Sequence, residues 1–147
     1  MLFGILIFIY GCRNSKTIHF DFDTYHLEYE YEDILTDLYS IERNITISSN
    51  RTNQKLIITL LPDIEKMNDA KFFYTDSIEL DGKKYGKVLI INDPFAFALI
   101  DLNTFKEIYN SHGLDDIDER INHLSEEICI GKVKNFKYSP GECKRDF

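Results

Sequence analysis

Phe72–Ile91 reads FFYTDSIELDGKKYGKVLII. Two arms rich in apolar residues, Phe72–Leu80 and Tyr85–Ile91, flank Asp81-Gly82-Lys83-Lys84, and an Asp-Gly pair supplies the positive φ angles that a tight turn demands. The stretch predicts an antiparallel hairpin. Val88-Leu89-Ile90-Ile91 has no polar alternation, so this arm is expected to be a central strand covered on both sides, with helices packed against one of them.

Upstream, Ile18, Phe20 and Phe22 alternate with His19, Asp21 and Asp23, the period-two pattern of a half-buried strand. Tyr25, Leu27, Tyr29 and Tyr31 alternate in the same way with His26, Glu28, Glu30 and Glu32, so a second strand is expected to fold back through Asp23-Thr24. Tyr31, Ile34, Leu35, Leu38 and Ile41 then fall at helical spacing and predict a helix over Glu32–Arg43. Asn44–Ser48 and Lys55–Leu61 form a further expected hairpin around the polar loop Ser49–Asn53.

Downstream, Phe95, Phe97 and Leu99 alternate with Ala96 and Ala98, the pattern of another strand. Asp101 and Asn103 are suitable caps for a short helix carrying Phe105, Ile108 and Tyr109 and ending at His112-Gly113. Asp116 with Glu119 resembles a capping box, and Ile117, Ile121, Leu124 and Ile128 form an apolar stripe, which together predict a helix ending at Gly131. Lys132–Phe136 suits an edge strand, and the remainder reads as an irregular tail. Hairpins interrupted by two to three helices predict an α+β fold, a single domain over residues 17–147.

Composition bounds what such a domain does. The chain has 147 residues, 44% hydrophobic and 29% charged, which suffices for a globular core without a metal staple or a dense disulfide framework. Its 25 acids against 17 bases give a net charge of -8 and argue against a nucleic-acid partner, since phosphate contacts require clustered Lys and Arg.

The N-terminus carries an address. Residues 1–12, MLFGILIFIYGC, hold no charge, and the apolar run Leu2–Tyr10 is too short to span a bilayer but fits the centre of a secretory signal. Ile9-Tyr10-Gly11-Cys12 resembles the lipobox of bacterial lipoproteins, although Tyr10 is bulkier than that family's usual residue and no Lys or Arg follows Met1. The resemblance implies removal of Met1–Gly11, lipidation of Cys12, a short tether over residues 12–16 and attachment to a membrane of the cell envelope. With Cys12 so assigned, Cys129 and Cys143 remain. They read either as a disulfide closing a small loop in an oxidising compartment, which would pin the tail to the end of a helix, or as two unrelated thiols.

Three polar groupings remain. His19, Asp21, Asp23 and His26 include good ligands for zinc, manganese or iron, and a metal-dependent enzyme built on them is one alternative. A half-buried strand presents polar residues to water in any case, so ordinary solvation is the expectation, with no metal and no cofactor assigned. Asp21, Asp23, Glu28, Glu30 and Glu32 belong to the stretch Phe20–Glu42, which contains eight acids and no Lys or Arg. That face reads as a solvated surface or as a contact for a basic protein, which is compatible with the small acidic immunity proteins that neutralise basic toxins, though no motif of theirs is matched. The tail's Lys132, Lys134, Lys137, Lys144 and Arg145 read either as a contact with anionic lipid or polyanions or, the expectation here, as partners of that acidic face.

No catalytic residue is assigned. Ser111 and His112 are adjacent in sequence, but a triad requires a third group and a meeting in space. Nucleophile elbow, phosphate loop, dinucleotide fingerprint and zinc-protease motif are all absent from the sequence. The expectation is a non-enzymatic binding or interaction role at the cell envelope.

Overall fold

The computed structural model describes residues 15–33, 41–63, 69–92, 96–111, 120–134 and 137–143. The leader Met1–Gly11 and Cys12 lie outside them. The described strands are β1 (Ser15–Phe22), β2 (Tyr25–Asp33), β3 (Ile41–Ser49), β4 (Lys55–Asp63), β5 (Asp69–Thr75), β6 (Ile78–Leu80), β7 (Lys83–Tyr85), β8 (Val88–Asn92), β9 (Phe97–Asp101), β10 (Lys106–Ser111), β11 (Ile121–Leu124), β12 (Glu127–Lys134) and β13 (Lys137–Pro140). They form three antiparallel sheets, ordered β1-β2-β3-β4, β10-β9-β8-β5-β12-β13 and β11-β6-β7.

The long hairpin explains the layering. Its outer parts, β5 and β8, pair from Lys71↔Asn92 to Thr75↔Val88 in the six-stranded sheet, while its tip, β6 and β7, belongs to the small sheet. Asp81 and Gly82 at the tip have φ of 51° and 75°, the two positive values expected of a tight hairpin turn. The tip lies over the middle sheet, where Ile78 and Leu80 join Phe73, Val88, Ile90, Phe97 and Leu99 in one apolar cluster.

On the opposite face of the middle sheet, Phe72, Leu89, Ile91, Ala98 and Ile100 pack against Leu27, Tyr29, Ile45, Ile47 and Leu60 of the four-stranded sheet. Strand β8 is therefore buried on both sides, as its unbroken apolar run requires. Each large apolar side chain fully buried here stabilises by about 1.5–3 kcal/mol. Both margins of the sandwich are tied. The rings of Phe20 and Tyr138 stack at 4.3 Å between β1 and β13, and the Asn110 side-chain amide donates to the Thr59 carbonyl at 3.1 Å between β10 and β4.

The expected α+β fold is thus corrected to a nearly all-β one, with no helical element among the described residues. Of the helix expected over Glu32–Arg43, residues 34–40 lie outside the described residues, and the flanking parts belong to β2 and β3. The helix expected after Asp101 is instead a turn leading into β10. The Asp101 carboxylate accepts from the Asn103 and Thr104 amides at 2.9 and 3.4 Å, so the capping chemistry is present but it closes a hairpin. Asp116, Ile117 and Glu119 lie outside the described residues, while Ile121–Leu124 and Glu127–Lys134 are strands rather than the rest of a helix. Finally, Lys132 and Lys134 stand in β12, between β5 and β13, and the edge is β13.

The disulfide alternative is the one realised. Cys129 of β12 and Cys143 beyond β13 are bonded, with Cα atoms 5.7 Å apart. The bond pins the tail to a strand, not to a helix. The tail's lysines do not all turn to the acidic N-terminal strands as expected, because Lys132 approaches Glu142 of the tail itself, at 3.9 Å. Lys144 and Arg145 lie outside the described residues.

Candidate functional site

Alternation along β1 and β2 sends Phe20, Leu27, Tyr29 and Tyr31 into the core and His19, Asp21, His26, Glu28 and Glu30 to the solvent face of the four-stranded sheet. The register is set by the two-residue turn Asp23-Thr24, in which Asp23 has a φ of 48°. It places His19 opposite Glu28 and Asp21 opposite His26. Cross-strand neighbours on one face lie close enough for their side chains to meet.

They do meet. His26 Nδ1 is 2.6 Å from Asp21 Oδ1, and His26 Nε2 is 3.9 Å from Glu28 Oε1. His19 Nδ1 approaches the same Glu28 oxygen at 4.0 Å, and the two imidazoles stack with centroids 5.7 Å apart and planes inclined by 19°. The His26 side chain is 30% exposed and that of Glu28 38%, so the group is open to solvent while resting on the sheet.

Of the residues first grouped by sequence, the structure brings together His19, Asp21 and His26 and leaves Asp23 apart. The Asp23 carboxylate receives Lys87 Nζ at 3.3 Å across the turn. Glu28 takes its place, a member that period two along a single strand does not reveal but that pairing through the Asp23-Thr24 turn would have given. Of the acidic stretch, Asp21, Glu28 and Glu30 share the outer face with Glu42 of β3. Glu32 stands in β2, with its side chain outside the described residues. Asn44 and Thr59 extend this polar face across β3 and β4, the Thr59 hydroxyl donating to Asn44 Oδ1 at 2.7 Å. Ile57 of β4 interrupts it with an apolar side chain 61% exposed.

Two other polar pairs serve the fold. Arg120 holds Asp81 at 2.5 Å, and its hydrogen bonds keep that carboxyl below the usual carboxylate range. Tyr74 donates to Asp76, and its phenol is raised above the ordinary tyrosine value, first by desolvation and then by that hydrogen bond. Ser111 closes β10, while His112 and Gly113 lie outside the described residues.

Comparison with family models, curated proteins and solved structures finds no significant match to this chain.

Proposed function

We propose that the chain is an exported, lipid-anchored protein of the bacterial cell envelope that works by binding rather than catalysis. The Cys129–Cys143 bond carries this reading. Disulfides form and persist in oxidising compartments, and this one consumes both cysteines other than Cys12. That leaves Cys12, at the end of the lipobox-like Ile9–Cys12, as the thiol for acylation. The outer face of β1–β4 is the binding surface in this reading, being broad and polar, with the exposed apolar side chain of Ile57 among its described residues.

Metabolic labelling with a palmitate analogue tests the anchor. Wild-type protein should take up label and partition with membranes, and Cys12→Ser should do neither. Unlabelled wild type, or a labelled Cys12→Ser variant, contradicts the reading.

The acidic outer face favours a second reading, an immunity-type inhibitor of a basic toxin. Period two collects Asp21, Glu28, Glu30 and Glu42 on one side of one sheet, where they act together on an approaching cation. Changing Asp21, Glu28 and Glu30 to Lys should then abolish protection against the toxin and remove the salt dependence of binding. Unchanged protection refutes it.

A further inference from the structure

We propose that His19, His26 and Glu28 form a zinc site on the solvent face of β1 and β2, with Asp21 as the positioning residue for His26. The site goes beyond the envelope reading and does not rest on it. Its donors are two imidazole nitrogens and a carboxylate oxygen, a set that suits zinc and its neighbours, whereas calcium and magnesium call for oxygen donors. The three ligand atoms all lie within 4.8 Å of one another. A tetrahedral zinc with bonds of 2.0–2.1 Å separates its ligands by about 3.3 Å, so binding requires a contraction of up to roughly 1.5 Å. Three partly exposed side chains deliver that by small torsional changes, with no movement of the strands.

The fourth member makes the arrangement more than a chance cluster. Metal-bound histidines ordinarily donate their other ring N–H to a carboxylate or carbonyl, which fixes the tautomer and the ring's orientation. Asp21 Oδ1 sits 2.6 Å from His26 Nδ1 and accepts that N–H, leaving the Nε2 lone pair directed to the side where Glu28 lies. The backbone beneath is fixed: β1 and β2 pair without interruption from Ser15↔Glu32 to Phe22↔Tyr25, and Phe20, Leu27 and Tyr29 between the site residues are buried. Three protein ligands leave one tetrahedral position open to water or to a donor from a bound molecule.

The test is calorimetric titration of Zn²⁺ into the chelator-stripped full chain. It carries no histidine tag and has Cys12→Ser in every sample, so that no free thiol competes. One ion per chain is expected. His26→Ala and Glu28→Gln should each weaken binding by a factor of 10 or more, and Asp21→Asn, which touches no ion, by about 10 to 100. Circular dichroism confirms that these solvent-face variants fold. His123→Ala, on β11 of the small sheet, should leave affinity unchanged, and Co²⁺ in place of zinc should give the visible absorption of a tetrahedral site. Equal affinity in wild type and a His19→Ala/His26→Ala variant overturns the site, and so does an octahedral cobalt spectrum. Unchanged affinity in Asp21→Asn overturns the positioning role.

Discussion

Tyr31 is 3% exposed, and burial pushes its phenol up to about 12. A tyrosine in an unfolded chain ionises near pH 10, so the unfolded state loses this proton first. The stabilisation is complete below about pH 10 and disappears as pH rises through about 12. Thermal melts across that interval should show the midpoint falling, and Tyr31→Phe should fall less steeply; equal slopes would remove Tyr31 from the account. Gly131 supplies a second prediction at this scale. A Cβ there would stand 2.5 Å from Tyr138 Cε2 and 2.7 Å from the Ser139 carbonyl oxygen, and the latter is backbone that cannot turn aside. Gly131→Ala should therefore destabilise by about 1–3 kcal/mol in urea denaturation. Sequence assigned this glycine to a helix end; its actual task is to let β13 approach β12. Arg43, expected to end a helix, is instead a wholly buried residue of β3. Period two from Ile45 and Ile47 carries inward to position 43, yet a charged residue at a core position gives no local hint that it is wholly buried.

Elements were legible where a turn and a period-two pattern coincided. Asp23-Thr24, Ser49–Asn53 and Asp81-Gly82 each close the hairpin that their neighbours announce. The helices were misread because the decisive partners are distant in sequence. Ile121 and Ile128 suit one helical stripe, but Ile121 pairs with Leu80 in the small sheet and Ile128 with Tyr74 in the middle one, and pairing of that range overrides local propensity. Capping residues misled in the same way, since Asp101 makes the same side-chain to amide bonds at a turn as at a helix start. The disulfide acts at this scale too. Its cysteines are separated by 14 positions, a closure that contributes about 3 kcal/mol, so the Cys129→Ser/Cys143→Ser variant should lose about 2–4 kcal/mol of unfolding free energy. Reductant should lower wild-type stability by a similar amount and leave the variant unchanged. Equal stability of the two proteins without reductant would mean that the tail is held by β12–β13 pairing alone.

At the scale of the molecule, the described residues stack three sheets, with the six-stranded sheet sharing one core with β1–β4 and another with β11, β6 and β7. Burial of that sheet on both faces was readable from Val88–Ile91; what covers its second face was not, because the cover is the hairpin's own tip folded back. The four-stranded sheet is left with its outer side in water, and there the His19–Asp21–His26–Glu28 group and the acidic surface coincide. A bound divalent ion would offset part of the negative charge on that face, so the attraction of a basic partner should be stronger in the chelator-stripped protein. The most direct measurement for the envelope account is mass spectrometry of the N-terminal peptide, taken from protein isolated from the cells that make it. The account predicts a peptide beginning at Cys12, its sulfur carrying a diacylglyceryl group. A peptide in which Met1–Gly11 is intact and Cys12 unmodified would contradict it.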